Sequence, residues 1–345
     1  MAKPIGIIGG GLAGLTLGIG LRQRGIPVTI WEAGRYPRHR VCGEFISGRG
    51  QETLDRLGLR ELVIRAGATT AQTAQFFWIN TCAPSRQMPQ PALCLSRFVL
   101  DDLLAKSFRE LGGELRENER RLESEGSEGV VRAGGRRLQP IENGWRWFGL
   151  KVHARNVRLT ADLEMHVSPP GYVGFCRLSA GQVNVCGLFR RRVGTAETMR
   201  TGLDLLRGQP GTALNQRLAA AAFDESSFCS VAGLSLKPQR AADRAECCIG
   251  DALTMIPPVT GNGMSMAFES AEMAIEPLAA YSRGESSWAQ TQKRIARLCD
   301  RAFSRRLAWA KFLQWLMFAS ALQNGLGSMA LRSDWFWRMM FTKTR

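Results

Sequence analysis

The amino terminus has a clear pattern of apolar segments. Ile5 to Ile8 is a short apolar run, the glycine-rich segment Gly9 to Gly14 follows, and an apolar stretch of helical length continues through Leu21. A second apolar run extends from Pro27 to Trp31 and ends in Glu32. Short apolar runs bounded by glycine are typical of buried strands, and longer ones of helices. The pattern therefore predicts a strand, a tight turn, a helix and a second strand.

The middle of the chain follows a different period. From Trp147 to Leu188 apolar and polar residues alternate, as in Leu163 to Val167 and Gln182 to Cys186. A period of two indicates strands with one buried face, as in an antiparallel sheet. We expect this sheet to form the roof of a binding site.

The composition is that of a globular protein with an excess of arginine. The chain has 345 residues, 45% of them hydrophobic, and a formal net charge of +16. Such a charge favours an anionic partner, for example a membrane surface, an acidic carrier protein or the phosphates of a dinucleotide. Nucleic acid is not expected, because the arginines are scattered and no nucleic-acid-binding motif accompanies them.

Cysteine and histidine usage narrows the chemistry. The nine cysteines include no CxxC pair, and the three histidines show no metal-ligand spacing with them. We therefore expect reduced thiols, a cytoplasmic location and no metal site. The apolar amino terminus carries a glycine pattern that a cleaved leader has no reason to keep, so export is not expected.

The glycine segment suits a dinucleotide phosphate. Gly9 makes the turn, Gly11 lets the backbone approach a pyrophosphate, and Gly14 allows close packing of helix on strand. Between them, Leu12 and Ala13 open the helix, whose N-terminal N–H groups and dipole favour an anion. Glu32, at the end of the second strand, is placed to bind ribose hydroxyls.

A second candidate cofactor segment lies more than two hundred positions along the chain. Cys247 to Ile249 reads as a short strand that runs into Gly250 and Asp251, and Asp251 can accept a hydrogen bond from a polyol hydroxyl. A proline and glycine segment then leads into a helix that is expected from Ser265 to about Tyr281, and its N-terminus can face an electron-rich acceptor. The candidate residues in this segment are Pro258, Gly261, Asn262, Gly263 and Met264.

Four segments together resemble the flavoprotein superfamily of the para-hydroxybenzoate hydroxylase type and its geranylgeranyl reductase-like branch. They are Gly9 to Gly14 with Glu32, Tyr36 to Glu44, Leu95 to Asp101, and Gly250 to Gly263. The resemblance implies FAD as cofactor, with Asp251 on the ribityl chain and Pro258, Gly261 and Gly263 beside the isoalloxazine ring. It also places Arg97 on the FAD side of the fold, and Arg40 is a further candidate cofactor-binding residue.

Two residues are candidates for catalysis. The segment Arg38 to Glu44 resembles the Cys-Gly loop of the reductase-like branch, which implies that Cys42 lies near the flavin. The thiol could modulate the flavin or help to donate a proton if neighbouring arginines lower its pKa; the alternative is a thiol that simply packs in a loop. Tyr172 could line a pocket for an apolar substrate, or could belong to the ordinary core of a strand.

The sequence departs from this superfamily at two places. The middle Asp-Gly segment, which touches cofactor and nicotinamide in the family, is Ala133 to Arg137 here, with glycine where the acid is expected. NAD(P)H is therefore only one expected electron donor, beside a partner protein or free reduced flavin. In the segment Pro169 to Phe175, Gly174 stands where the reductase-like branch carries tryptophan, which argues against prenyl reduction.

The carboxyl-terminal region is apolar and basic. Leu307 to Leu322 is apolar on nearly every face, but is too short for a bilayer span of about 20 apolar residues, so a buried helix is expected. Beyond it, the aromatic segment Trp335 to Phe341 lies among Arg332, Lys343 and Arg345. This segment could dock peripherally on a membrane or could pack over the substrate domain.

These observations predict an α/β protein. The expected fold is a Rossmann-like FAD-binding domain of the glutathione-reductase type, an inserted antiparallel β-sheet substrate domain and a helical carboxyl-terminal region. The predicted ranges are 1–143 with 233–286 for the FAD-binding domain, 144–232 for the substrate domain and 287–345 for the helical region.

The leading functional hypothesis is an FAD-dependent monooxygenase or dehydrogenase of secondary metabolism. Its substrate would be hydrophobic or aromatic, polyketide-like or lipid-like, and either free or bound to a carrier protein. One alternative is a reductase of carbon–carbon double bonds, and a second is a flavin-containing binding protein without turnover. No catalytic dyad is required, because the cofactor carries the chemistry while the pocket orients the substrate and excludes water.

Overall fold

A computed structural model describes residues 2–121, 127–136, 141–194, 201–318 and 333–343. The helices and strands of these residues form two sheets, with helices packed beside them. The strands are β1 (Ile5–Ile8), β2 (Val28–Glu32), β3 (Phe45–Ile46), β4 (Thr69–Trp78), β5 (Thr81–Cys82), β6 (Arg86–Cys94), β7 (Glu114–Glu117), β8 (Val130–Arg132), β9 (Trp145–Arg155), β10 (Leu163–Ser168), β11 (Gly171–Arg177), β12 (Val183–Arg192), β13 (Ala222–Ala232) and β14 (Cys247–Cys248). The helices are α1 (Leu12–Arg22), α2 (Arg49–Arg56), α3 (Arg60–Arg65), α4 (Arg97–Glu110), α5 (Gly202–Arg207), α6 (Ala213–Arg217), α7 (Gly263–Ser282), α8 (Trp288–Phe318) and α9 (Asp334–Lys343).

The first sheet is parallel and contains the amino-terminal strands. Its strand order is β14-β8-β1-β2-β7, so β1 lies in the centre. Strand β1 pairs in parallel with both β2 and β8. The predicted strand, turn, helix and strand are confirmed. Because the strands are parallel, the glycine-rich segments that follow β1, β8 and β14 meet at one edge of the sheet.

The core of this half lies between the parallel sheet and its helices. Leu15, Leu17 and Ile19 of α1 are completely buried in one cluster with residues of β1, α4 and α7. Full burial of each such side chain contributes roughly 1.5–3 kcal/mol. The glycine turn is therefore attached to a fully buried part of the core.

The second sheet has nine strands. Along its main path the order is β13-β9-β12-β11-β10-β4-β6-β3, and β5 pairs with β4. The antiparallel pairing of β9 to β12 confirms the expectation from the alternating pattern. The sheet extends beyond the expected range 144–232, since β3 to β6 come from residues 45–94 and β10 pairs in parallel with β4. Strand β4 alternates weakly in sequence, and it pairs with β5 and β6 as well as with β10.

Helix α8 follows the parallel sheet and reaches the second sheet. Its buried face includes Ile295, Phe303 and Leu313. The expected buried helix Leu307 to Leu322 is present as far as Phe318, and its last residues lie outside the described part of the chain. Burial holds for one face only, because Phe312 is 45% exposed and Trp315 is 62% exposed. Among the described residues, no helix is long and apolar enough to cross a membrane.

Candidate functional site

One continuous cavity of about 830 Å³ lies between the two sheets. It begins at the carboxyl edge of the parallel sheet and ends against the second sheet and the carboxyl-terminal helices. We call the first part the groove; its lining includes Gly9, Gly11, Leu12, Ala13, Arg136 and Asp251. We call the second part the chamber; its lining includes Trp78, Val167, Tyr172, Leu188, Leu234 and Met317. All candidate cofactor and catalytic residues from the sequence line this cavity, apart from Gly14, in the first turn of α1, and Asn262, the N-cap of α7.

Three of the four glycines in the Gly9 to Gly14 segment have different roles. Gly9 has φ +106°, and a Cβ there would lie 2.5 Å from the carbonyl oxygen of Ala133. A Cβ on Gly14 would lie 2.0 Å from the carbonyl oxygen of Gly9. A Cβ on Gly11 would meet nothing within 4 Å. Gly9 and Gly14 are therefore required by the protein itself, whereas Gly11 leaves room in the groove.

The N-terminus of α1 is open toward the groove. Gly11 is its N-cap, with φ −83°, and its first turn has no acidic residue. The earliest hydrogen bond of the helix runs from the Leu15 N–H to the Gly11 carbonyl at 3.0 Å. The N–H groups of Leu12 and Ala13 precede this bond, and both residues line the cavity. Such a terminus provides donors and a positive dipole end for a pyrophosphate.

Glu32 already has close protein partners. Its carboxylate accepts hydrogen bonds from the Gly10 N–H at 2.8 Å and the Gly34 N–H at 2.9 Å. It also accepts one from the Arg38 guanidinium at 2.7 Å. Burial acts against ionisation, but these donors outweigh it and lower the Glu32 pKa to about 2. Ribose binding by Glu32 stays a prediction, and it requires Arg38 to move aside or to share the carboxylate.

Two further arginines, Arg40 and Arg97, line the cavity. Arg40 lines the groove and lies 4.0 Å from Glu32. Arg97 begins α4, where its guanidinium forms hydrogen bonds of 2.6 and 2.8 Å with the buried carboxylate of Asp101. Because Asp101 offsets its charge, Arg97 acts chiefly as a fixed wall of the cavity.

Asp251 lies at the opposite end of the groove, on the turn after β14. It is half-buried, lines the cavity and has no hydrogen bond to the described part of the chain. Burial raises its pKa, although the charges of Arg136 and Arg97 act in the other direction. A carboxylate in this position can accept a hydrogen bond from a polyol hydroxyl, which suits the ribityl chain of FAD.

The segment before α7 contains two glycines with different surroundings: one is required by close packing, and the other leaves room in the cavity. Gly261 has φ +62°, and a Cβ there would lie 2.2 Å from the Phe45 ring. A Cβ on Gly263 would have its nearest neighbour at 3.9 Å, on Ile256. Gly263 begins α7, whose first turn has no acidic residue. Pro258, Gly261, Gly263 and Met264 all line the cavity, so this helix N-terminus also faces it.

The loop that carries Cys42 is attached to the second sheet by a buried charge cluster. The Glu44 carboxylate lies 2.7 Å from His153 Nε2 and 3.2 Å from Lys151 Nζ. It also accepts a hydrogen bond from the Arg97 N–H at 2.9 Å, and Lys151 Nζ lies 3.1 Å from His39 Nδ1. Sequence reasoning missed the pairing of Glu44 with Lys151. The available signal was a lysine in the middle of a strand with an apolar pattern.

Cys42 lies at the wall of the cavity as a protonated thiol. Burial raises its pKa and outweighs the nearby charge of Arg97. The condition that neighbouring arginines would lower this pKa is therefore not met. Cys42 can line the site or hold a proton, but the surroundings do not favour a thiolate.

The chamber is apolar, and Tyr172 belongs to its wall. Tyr172 packs with Trp78, Trp147, Val167 and Leu188 in one buried cluster. Its hydroxyl is buried without a hydrogen-bond partner among the described residues. A buried hydroxyl without a partner is costly, so it is a candidate donor to a substrate oxygen.

The aromatic segment near the carboxyl terminus also reaches the cavity. Trp337 is buried, and both Trp337 and Phe341 line the cavity wall. Trp335 points away from it and is 72% exposed. The segment thus packs against the cavity through two aromatic residues, while it presents a third to solvent.

No group of three cysteine, histidine, aspartate or glutamate side chains in the described ranges is arranged to hold a metal ion. The groove instead suits a dinucleotide. Gly11 and Gly263 leave room where a Cβ would stand, two helix N-termini face the same space, and Asp251 projects a carboxylate into it. These features fit FAD in an extended form.

Comparison with known sequences identifies the same region. The family described as FAD binding domain matches residues 2–140. Conditioned medium factor receptor 1 of Dictyostelium discoideum is 28% identical over 126 residues, which cover 33% of this chain and 25% of that protein. The match thus spans a quarter of the length of this curated relative.

Solved structures share the fold along nearly the whole chain. The flavin-dependent brominase Bmp2 matches with a TM-score of 0.74 at 16% identity, over 100% of this chain and 95% of the brominase. A geranylgeranyl bacteriochlorophyll reductase-like protein from Thermoplasma acidophilum matches with a TM-score of 0.74 at 16% identity, over 99% of this chain and 96% of that one. A variant of the halogenase PltM in complex with FAD matches with a TM-score of 0.72 at 16% identity, over 99% of this chain and 83% of that one.

At these identities the solved structures establish a common fold, while the family match concerns the FAD domain itself. Both agree with a groove that combines a glycine turn, two helix N-termini and Asp251. The resemblance inferred from sequence and the expected cofactor are confirmed. Residues 2–140 match the FAD binding domain family, and the cofactor of the protein is FAD.

Proposed function

We propose that this protein is an FAD-dependent monooxygenase that hydroxylates a hydrophobic or aromatic substrate, polyketide-like or lipid-like in character. The observation that carries the proposal is the continuity of the cavity. The polar groove for the dinucleotide opens directly into an apolar chamber, with no layer of the described residues between them. A substrate in the chamber would thus lie against the reactive end of the cofactor.

The lining of the chamber fits this chemistry. Its walls are Trp, Val, Tyr, Leu and Met side chains, which exclude water and select for apolar surface. Bound FAD would supply the redox and oxygen chemistry, and the protein would orient the substrate and keep the site dry. The Tyr172 hydroxyl is buried without a partner among the described residues, and it would orient a substrate oxygen.

Reduction of carbon–carbon double bonds is the second candidate. The protonated Cys42 thiol at the cavity wall supports it, since reduction of a double bond requires a proton as well as a hydride. Against it stands Gly174, which lines the cavity where the reductase-like branch carries tryptophan. Dehydrogenation of the same class of substrate would use the same chamber.

The proposed surroundings of the enzyme follow from its chemistry. NAD(P)H is the proposed electron donor, with a partner protein or free reduced flavin as alternatives. The substrate could be presented free or on an acidic carrier protein, for which the net charge of +16 is suitable. The nine cysteines form no disulfide and are in keeping with a reducing cytoplasm.

The test is the reaction of the reduced protein with oxygen. The FAD-loaded protein would be reduced without oxygen and then mixed with oxygen in a stopped-flow spectrometer. A transient absorbance band that belongs to neither oxidised nor reduced flavin is expected for a monooxygenase. Direct reoxidation would favour the reductase or dehydrogenase, and a lack of NAD(P)H and oxygen consumption would favour a binding protein without turnover. Repeating the reaction with bromide would separate hydroxylation from the halogenation for which Bmp2 is named.

A further inference from the structure

The turn after β8 is a second glycine-rich opening into the groove. A Cβ on Gly134 would have its nearest neighbour at 3.8 Å, the carbonyl oxygen of Ile8. Gly135 has φ +79°, and a Cβ there would meet nothing within 4 Å. The backbone is therefore open to a ligand at this point, as it is at Gly11. The family resemblance expects an acidic residue at Gly134, so a negative charge is missing here.

Arg136 follows these glycines and projects into the groove. It is half-buried, it lines the cavity, and it forms no hydrogen bond or ion pair with the described residues. The strand order β14-β8-β1 places it between Asp251, after β14, and Gly11, after β1. Burial lowers the Arg136 pKa, and the Asp251 carboxylate raises it. A half-buried guanidinium without a hydrogen-bonded partner is costly unless a ligand completes its surroundings.

We infer that Arg136 binds a phosphate group of a dinucleotide in the groove. A guanidinium matches phosphate oxygens with two parallel hydrogen bonds, which makes arginine the side chain of choice for this group. The phosphate could come from the pyrophosphate of FAD, which must pass between Gly11 and Asp251, or from a nicotinamide dinucleotide that reduces the flavin. The inference rests on the FAD cofactor and holds whether or not the enzyme is a monooxygenase.

The experiment measures nucleotide affinity rather than turnover. Protein freed of flavin would be titrated with FAD, with flavin fluorescence as the signal, at low and high salt. Replacing Arg136 by glutamine should raise the FAD dissociation constant about 10- to 100-fold, the loss expected for a charge-assisted contact. Arg136→Lys should recover part of the affinity, and Arg190→Gln, which removes a half-buried arginine that does not line the cavity, should leave it unchanged. Because Arg136 has no partner among the described residues, its removal should not lower the thermal stability of the apoprotein.

The two sources of phosphate give different results. If Arg136 binds FAD, the variant loses FAD affinity and the salt dependence of FAD binding becomes weaker. If it binds the nicotinamide dinucleotide, FAD affinity is kept, while the dissociation constant of NADPH or NADH, measured with the oxidised holoprotein, rises by a similar factor. Unchanged affinity for FAD, NADPH and NADH would overturn the inference.

A separate observation concerns the outer face of α8. Phe312 and Trp315 are exposed on it, and Trp335 of the neighbouring helix α9 is 72% exposed. The cations Arg301, Arg305 and Lys311 are exposed on α8, as are Arg338 and Lys343 on α9. We call these aromatic and cationic residues the α8–α9 face. Exposed aromatic side chains surrounded by cations are typical of segments that lie in a membrane interface.

The α8–α9 face lies directly behind the wall of the chamber. Leu313, Leu316 and Met317 of α8 line the cavity, while Phe312 and Trp315 of the same turns point outward. We propose that this face docks on an anionic phospholipid surface. The positive charges would attract the headgroups, and the aromatic rings would enter the interface. Docking there would place the α8 wall of the chamber against the lipid surface.

Vesicle binding tests this docking. The holoprotein would be sedimented with vesicles of phosphatidylcholine alone, and with vesicles that also contain phosphatidylglycerol. We expect binding to the anionic vesicles, weakened by salt and reduced at least about tenfold when Trp315 and Trp335 are both replaced by serine. Ile64→Ser, which removes an exposed apolar residue from α3, is the matched control and should bind as the wild type does. Equal binding of the double variant, or binding of an acidic carrier protein through this face without any binding to anionic vesicles, would overturn the proposal.

Discussion

The groove and the chamber are two ends of one cavity, but they are built from different kinds of sequence. The groove is made of short local segments at the edge of a parallel sheet, such as Gly9 to Gly14 and Gly250 with Asp251. The chamber is made of single residues from separate elements, for example Trp78 of β4, Leu188 of β12 and Met317 of α8. A cofactor site can thus be recognised in sequence, whereas a substrate site requires the assembled fold.

The largest expected effect is on the free energy of unfolding, and it concerns Glu44, which lines the cavity that the groove and the chamber share. Glu44→Gln removes the charge that Lys151 and His153 share inside the protein. Breaking a buried ion pair while its partner stays buried costs about 3–5 kcal/mol. Chemical denaturation at neutral pH should show this loss in the free energy of unfolding. Glu272→Gln, which removes a less buried ion pair with Arg56, should cost much less.

The same contact predicts a dependence on pH. Although burial opposes ionisation, the hydrogen bond from His153 and the charge of Lys151 hold the Glu44 pKa below its ordinary value of 4.5. Its stabilising contribution is therefore present above that value and is lost as the pH falls below it toward the lower folded pKa. The difference in unfolding free energy between wild type and Glu44→Gln should shrink in acid. A difference that stays constant across this range would contradict the assignment.

A substitution at Gly11 should weaken FAD binding in the groove and leave the chamber unchanged. Gly11 has φ −83°, and a Cβ there meets no protein atom within 4 Å, so alanine should be accepted by the fold. The added methyl group would stand where the pyrophosphate must approach. Loss of two charge-assisted hydrogen bonds, at roughly 1.5 kcal/mol or more each, raises the FAD dissociation constant by about 100-fold.

The matched substitution for Gly11→Ala is Gly14→Ala. Its Cβ would lie 2.0 Å from the carbonyl oxygen of Gly9, so this variant should lose thermal stability even without cofactor. Flavin content and the melting temperature of the apoprotein separate the two variants. A Gly11→Ala protein that is purified with full flavin content would show that the pyrophosphate does not lie at this turn.

A substitution at Gly174 should affect the chamber alone. Gly174 lines the cavity, and a Cβ there would have its nearest neighbour at 3.7 Å. Tryptophan at this position should fill part of the chamber, which would weaken binding of an apolar ligand by about tenfold, a change of about 1.4 kcal/mol. FAD affinity should be unchanged. The dissociation constants of FAD and of the apolar ligand should be measured for both variants. Gly11→Ala should raise the constant for FAD, and Gly174→Trp should raise the constant for the apolar ligand. Loss of FAD from Gly174→Trp would argue against two separable ends of the cavity.

The smallest effect on the unfolding free energy is expected for Tyr172→Phe. The Tyr172 hydroxyl has no partner among the described residues, so its removal should change the unfolding free energy by less than about 1 kcal/mol. Turnover of an oxygen-containing substrate should fall more than stability does. If the melting temperature instead drops by many degrees, the hydroxyl has a structural partner and is not available to substrate.

Local patterns explain what the sequence could predict. The glycine turn, the strand that ends in Glu32 and the helix after Gly263 depend on neighbouring residues, so their elements and their place at the cavity could be anticipated. The alternation from Trp147 to Leu188 likewise predicted strands β9 to β12. Asp251 could be singled out because it follows a short strand and precedes a glycine-rich helix start.

Contacts between distant segments explain which features could not be predicted from the sequence. Strand β4 joins the second sheet by pairing with β10, almost a hundred residues later, and its sequence gives no sign of that partner. The hydrogen bond from Arg38 to Glu32 and the ion pair of Lys151 with Glu44 form only because separate loops and strands converge in the fold. Trp337 turns into the cavity while Trp335 turns outward, a distinction that depends on where α9 packs.

The most direct test of the single cavity is an anaerobic titration of the FAD-loaded protein with a hydrophobic aromatic ligand such as 2-naphthol. If the chamber opens onto the cofactor, binding should shift the visible absorbance bands of the flavin in a saturable way, and the Gly174→Trp protein should need about tenfold more ligand for the same shift. If calorimetry shows that the ligand binds while the flavin spectrum stays unchanged, the ligand site is separate from the cofactor, and the proposed arrangement is wrong.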